Sequence, residues 1–239
     1  MRRGRGLVII AAAVAVLIVA ASAGYAVIRV RQHQEAAGLR ESGLPASVST
    51  SLANLMQLSP VPVTSAPGFT LTDQGGQAMS LASLRGRVVV LEFMDPHCTD
   101  ICPIVSQEFL DAYRDLGASA PRVVFLAVNV NRYHLQVADV AAFSAEQRLT
   151  QIPAWHFLTG SYPGLQAVWQ AYQIQVDAPG PDADVIHSSQ MYFIDPQGRE
   201  RFLANPMVDH TASGSSYLPA NQLASWGQGI ALVARHLAA

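Results

Sequence analysis

The sequence predicts an α/β fold with three layers and a mixed central sheet. Three observations carry that prediction. Residues 87–93 and 122–130 are near-continuous apolar runs, as expected of strands buried on both faces. Residues 104–110, 135–149 and 223–233 carry apolar side chains at helical spacing. Late in the chain, residues 190–195 and 200–203 flank Pro196-Gln197-Gly198, a hairpin signal. Strands alternating with helices, closed by a hairpin and a terminal helix, place helices over both faces of a sheet with parallel and antiparallel members.

The elements follow in order. Residues 1–6 are basic, and residues 7–28 then run without a charge. About 20 apolar residues span a bilayer core, so residues 1–30 are expected to form an N-terminal membrane anchor. The rival expectation is a cleaved signal peptide, for which Ala21-Ser22-Ala23 is a small-residue cleavage site. Both place the remaining chain on the extracytoplasmic side of the cell membrane, where a cysteine pair can be oxidised. Residues 31–62 read as a linker rich in small and polar residues, with Pro45, Pro60 and Pro62 and a short helical turn over 52–58. The folded domain is then 63–239.

Within that domain, Phe69-Thr70-Leu71-Thr72-Asp73 alternates like a strand, and Gln74-Gly75-Gly76-Gln77 is a turn. Ser80 caps a short helical turn over 81–86. The 87–93 strand leads into a cysteine-bearing loop and a helix from Pro103 to about Gly117. The 122–130 strand, the 135–149 helix and a short strand at Trp155-His156-Phe157-Leu158 come next. Ser161-Tyr162-Pro163 opens a helix running through Tyr172, the hairpin follows, residues 203–217 read as a polar loop, and 219–238 form the last helix.

Composition excludes some functions. The formal net charge is −2 and the charged fraction 13%, so no polyanion-binding surface, and hence no nucleic-acid partner, is implied. All 15 basic residues are arginine, which rules out Schiff-base chemistry on a lysine.

Chemistry centres on Asp95-Pro96-His97-Cys98-Thr99-Asp100-Ile101-Cys102-Pro103, which holds the two cysteines of the chain. Strand, cysteine loop, helix is the layout of a thioredoxin-like active site. Pro103 suits the first helical turn, where its missing N–H removes no intrahelical bond. Cys102 is expected at the helix N-terminus, where the dipole favours a thiolate. A thiolate is both a redox nucleophile and a soft metal ligand.

A third group must come from the seven histidines. His33 and His236 read as solvated, His134 as a surface or capping residue at a helix start, and His156 as strand packing. His97, beside Cys98, can tune the thiol, and His210 lies in the late polar loop near Met207. His187 stands apart. It precedes the hairpin strand, in the loop that thioredoxin-like domains place beside the cysteines, and no proline occurs between Pro181 and Pro196 to supply their usual cis-proline. Two thiolates and an imidazole make a soft S₂N set suited to Cu(I), with Zn(II) as chemical competitor.

The sequence resembles the Sco (SenC-type) family of copper chaperones. The resemblance rests on Cys98-Thr99-Asp100-Ile101-Cys102-Pro103, on His187-Ser188 ahead of Tyr192-Phe193-Ile194-Asp195-Pro196-Gln197-Gly198, and on the opening Phe69-Thr70-Leu71-Thr72-Asp73 with Leu84-Arg85-Gly86-Arg87. It implies a thioredoxin-like domain binding copper, Cu(I) and also Cu(II), through Cys98, Cys102 and His187. It also implies a membrane anchor and, as partner, the dinuclear copper site of cytochrome c oxidase subunit II. The chain departs from the family's Phe-Thr-x-Cys at Asp95-Pro96-His97-Cys98, and has Asn129-Val130-Asn131-Arg132 where many members have Asp-Pro. The alternative reading is a thiol–disulfide oxidoreductase using the same cysteines to keep partner thiols reduced. A peroxidase lacks its guanidinium here, since no arginine lies between Arg148 and Arg199.

Overall fold

The computed structural model describes residues 43–239, together with Tyr25, Ile28, Arg29 and Gln34. Apart from Tyr25, Ile28 and Arg29, the expected membrane anchor lies outside the described residues, among which no helix is long and apolar enough to cross a membrane. Thr50–Ala239 forms one compact unit.

That unit opens with helix α1 (Thr50–Leu55) and strand β1 (Ser59–Ser65). The hairpin β2 (Thr70–Thr72) and β3 (Ala78–Ser80) and a 3-10 turn capped by Ser80 follow. Then come β4 (Val88–Met94), α2 (Ile101–Leu116), β5 (Val123–Asn129), α3 (Val137–Glu146), β6 (Trp155–Leu158) and α4 (Tyr162–Ala171). Two-residue strands β7 (Val176–Asp177) and β8 (Ile186–His187) precede the hairpin β9 (Met191–Ile194) and β10 (Arg199–Ala204). A small ribbon, β11 (Asp209–His210) with β12 (Ser216–Tyr217), and helix α5 (Ala220–Ala238) complete it.

The main sheet has the order β1-β10-β9-β4-β5-β6. β4, β5 and β6 are parallel, whereas β9, β10 and β1 are antiparallel additions. All seven residues of β4 and of β5 are buried, which explains their unbroken apolar sequences. On one face Val89, Leu91, Phe93, Val124, Leu126 and Val128 pack with Leu165, Val168 and Trp169 of α4. On the other, Phe109 of α2 meets Phe125 and Trp155, and Phe143 of α3 meets Phe157. Helix α5 covers this same face by lying close against α2. A side chain at Gly227 would sit 2.5 Å from Asp111 Cβ and 3.1 Å from the Ala112 nitrogen, so the helices touch backbone to backbone there.

Three differences from the sequence reading have physical causes. Residues 50–62, read as the end of a linker, lie inside the compact unit, and β1 pairs with β10 from Ser59↔Leu203 to Ser65↔Arg199. β1 is an edge strand, exposed along most of its length, so it shows no alternation of apolar residues. Pro60 and Pro62 are tolerated there because an edge needs only one row of ladder bonds. The polar loop at 203–217 contains the β11–β12 ribbon. Helix α3 starts at Val137 rather than at His134, since Gln136 and Asp139 form a reciprocal capping box at that point.

Candidate metal centre

The central strand β4 ends at Met94 and delivers the chain into the cysteine loop. Asp95, 4% exposed, organises that loop. Its Oδ1 accepts the His97 N–H at 2.8 Å and the Asn131 Nδ2–H at 3.0 Å, and its carbonyl accepts the Cys98 N–H at 3.1 Å. Asn131 in turn is held by its neighbour, because its N–H donates to Asn129 Oδ1 at 2.7 Å. Asn129 Nδ2 reaches the His134 carbonyl at 2.7 Å, and Trp169 Nε1 donates to the Asn129 carbonyl at 2.9 Å. Asp95, Asn129 and Asn131 are all buried, and this paired network brings the ends of β4 and β5 together beneath the cysteines.

Cys102 is the second residue of α2 and is buried, while Cys98 is partly exposed, and neither is bridged. The Cys102 N–H points at Cys98 Sγ from 3.4 Å. The two thiols are therefore unequal. A hydrogen bond from the Cys102 thiol holds Cys98 below the ordinary cysteine pKa, against its own desolvation. That bond and burial push Cys102 well above it. This corrects the expectation of a thiolate at Cys102. The positive end of the helix does favour a thiolate, but the sulfur it faces is that of Cys98.

His187 lies in β8, paired with Val176 of β7. Its Nδ1 is 3.0 Å from the Ser188 carbonyl, which can only accept, so Nδ1 carries the proton and Nε2 keeps its lone pair. Burial lowers its pKa, opposed by that Ser188 bond and by the Asp95 charge, so the ring is held neutral. Neutral imidazole with one nitrogen pinned is the form that binds metals.

Cys98 and His187 line a single cleft of about 390 Å³, together with Asp95, Asp100 and Val208. Cys102 is buried and does not line the cleft; it reaches it only through its contact with Cys98. His210 reaches the rim, with Nε2 3.9 Å from Asp100 Oδ1. His156 is elsewhere, paired at 3.2 Å with Asp73. Among the described residues no cis peptide bond occurs, in keeping with the missing proline. The cleft is open: among the described residues, the set of three side chains whose donor atoms all lie within 4.8 Å of one another is a different one, His97, His134 and Asp139. The sequence carried no signal for that grouping, because the three residues come from separate segments.

An α/β domain whose central strand delivers a cysteine pair to a helix N-terminus, with an imidazole across the cleft, is a thioredoxin-like domain bearing a paired thiol site. The chain belongs to the SCO1/SenC family, whose model matches residues 61–212. It is 29% identical over 133 residues to the SCO1 protein homolog of Bacillus subtilis, covering 55% of this chain and 68% of that one. Matches to mitochondrial SCO2 homologues cover about half of those proteins. Among solved structures, ScoI of Bradyrhizobium japonicum with copper bound superposes with a TM-score of 0.56 at 22% identity, over 73% of this chain and 99% of that one. A structure of BsSco, described as having a disulfide switch and as a member of the Sco family of cytochrome c oxidase assembly proteins, gives 0.54 at 24%, over 72% and 95%.

Proposed function

We propose that this chain is a membrane-anchored, extracytoplasmic copper chaperone that carries Cu(I) on Cys98, Cys102 and His187 for assembly of the copper site of cytochrome c oxidase subunit II. The observation that carries the reading is the shared cleft, with the Cys98 thiolate and the free Nε2 of His187 on its walls. Both are soft or borderline donors, and a d¹⁰ Cu(I) ion takes two sulfurs and a nitrogen without geometric demand. Binding releases the Cys102 proton, because only a thiolate ligates. The Ser188 carbonyl fixes the His187 tautomer that presents Nε2. The copper-bound ScoI and the oxidase-assembly role named for BsSco support copper as the cargo and the oxidase as its destination.

A second reading draws on the inequality of the thiols. A partly exposed thiolate at Cys98 backed by a buried, protonated Cys102 is arranged for disulfide exchange. Cys98 attacks a partner disulfide to form a mixed disulfide and expel one partner thiolate. Cys102 then loses its proton, attacks Cys98 Sγ and releases the second partner thiolate. The partner gains two electrons and the pair becomes a disulfide.

The deciding experiment is anaerobic Cu(I) titration of the reduced full chain in detergent, in competition with a Cu(I) chelator. One equivalent is expected, lost in Cys98→Ser and in Cys102→Ser and weakened in His187→Ala, whose cysteines still oxidise. Unchanged copper affinity in His187→Ala, combined with lost disulfide turnover, would transfer the assignment to the oxidoreductase.

A further inference from the structure

On the far side of the cysteine loop from His187, three other side chains converge. The His97 ring stacks on His134 with centroids 3.6 Å apart and 26° between planes. His97 Nε2 lies 3.9 Å from Asp139 Oδ1. One donor atom from each of the three falls within 4.8 Å of the other two. They come from three pieces of chain: the cysteine loop, the loop after β5, and the first turn of α3. His97 and Asp139 border a second cleft of about 500 Å³, together with Cys98, Pro103 and Phe143.

Two of the three side chains are engaged through a second atom. His134 Nε2 is 3.2 Å from the Pro181 carbonyl, which only accepts, so Nε2 holds the proton and Nδ1 keeps a lone pair. Asp139 Oδ2 accepts the Gln136 N–H at 3.0 Å, leaving Oδ1 turned toward His97. The Asn129 amide fixes the backbone of His134. An imidazole whose second nitrogen is tied to a carbonyl, and a carboxylate whose second oxygen is tied to an amide, are the outer contacts that orient metal ligands.

We propose that His97, His134 and Asp139 form a second metal site, for a divalent transition-metal ion of the Zn(II) or Cu(II) class. Two imidazoles and one carboxylate are borderline-to-hard donors, unlike the sulfur set across the loop, so this site selects the divalent ion and leaves Cu(I) to the thiols. None of its donors is a thiol, so it remains available when Cys98 and Cys102 are joined as a disulfide. Loading requires the stacked rings to open. Ligands at ~2.0–2.1 Å around a tetrahedral ion sit roughly 3.3 Å apart, and His97, whose side chain is 50% exposed, has the freedom to swing. His97 immediately precedes Cys98, so an ion held here is one residue from the thiolate.

The test uses the full chain in detergent carrying Cys98→Ser, Cys102→Ser and His187→Ala together, which removes every donor of the first site. Zn(II) is titrated calorimetrically, and Cu(II) is followed by electron paramagnetic resonance. One equivalent of each is expected, with hyperfine coupling from two imidazole nitrogens in the copper spectrum. Adding His134→Ala, or Asp139→Asn, which keeps the helix-capping oxygen, should weaken binding by at least the ~10–100-fold that losing even an outer-shell partner costs. Far-ultraviolet circular dichroism confirms that these variants fold. Absence of stoichiometric binding in the triple variant would overturn the proposal, leaving a stacked pair held by Asp139 alone. So would affinity indifferent to both added substitutions. Because the background lacks both thiols, neither outcome bears on Cu(I) binding.

Discussion

Replacing Glu92 by Gln should change how stability depends on pH. Glu92 is on β4, 1% exposed, on the sheet face covered by α2 and α5, and neither carboxylate oxygen has a hydrogen-bond partner. Burial raises its pKa from 4.5 to about 8. Glu108 on α2 is also buried and unpartnered, and is pushed well above its ordinary value by desolvation and by the Glu92 charge. Between pH 4.5 and 8 the folded state therefore keeps a proton on Glu92 that the unfolded chain releases. More protons in the folded state mean that stability falls as pH rises through this window. At about 1.4 kcal/mol per pH unit, the loss attributable to Glu92 accumulates to ~3–5 kcal/mol by pH 8. Gln cannot ionise, so Glu92→Gln should flatten the slope by that amount, and the Glu92→Gln/Glu108→Gln double variant should flatten it further. Any cost of burying the extra amide protons is independent of pH and separates cleanly. The assay is urea denaturation of the Thr50–Ala239 unit at half-unit steps from pH 4.5 to 8.5. Parallel pH–stability curves for wild type and the double variant would refute the reasoning, since they would mean that both carboxylates are hydrated.

Three further outcomes are expected. Cu(I) affinity should fall steadily from pH 8 to pH 5 because the Cys102 proton is released on binding, but since burial lowers the His187 pKa, the advantage of wild type over His187→Ala should hold down to pH 6.5, the ordinary imidazole value, and shrink only below it, by chelator competition. A wild-type advantage over His187→Ala that is absent, or that is already lost at or above pH 6.5, would count against His187 as the nitrogen donor. Gly227→Ala should destabilise the domain by about 1–3 kcal/mol, read from the urea midpoint, because its Cβ would overlap Asp111 and crowd the α2 backbone. Asp95→Asn should push the Cys98 pKa further down by removing a charge that opposes the hydrogen bond from Cys102; iodoacetamide alkylation at pH 6 should quicken, and a slower rate would contradict the thiolate assignment.

The legible parts of this protein are those whose cause is local. Near-continuous apolar runs at 87–93 and 122–130 read as strands covered on both sides, and Pro196-Gln197-Gly198 between two strand-like segments read as a hairpin. Cys98 and Cys102 at the junction of strand and helix identified the thiol site. Other features depend on partners distant in sequence. β1 exists because β10 offers an open edge, and its own residues, exposed and proline-containing, give no sign of it. Cys98 rather than Cys102 is the favoured thiolate because the chain folds back so that the Cys102 N–H and thiol both point at Cys98 Sγ. His134 read as a surface residue until the turn after β5 laid its ring on His97. Periodicity and turn chemistry are written within a few residues, so the sequence alone determined the central strands, the late hairpin, most helices and the cysteine loop. Which donor faces which ion depends on contacts between segments far apart in the chain, and only the tertiary structure decided those.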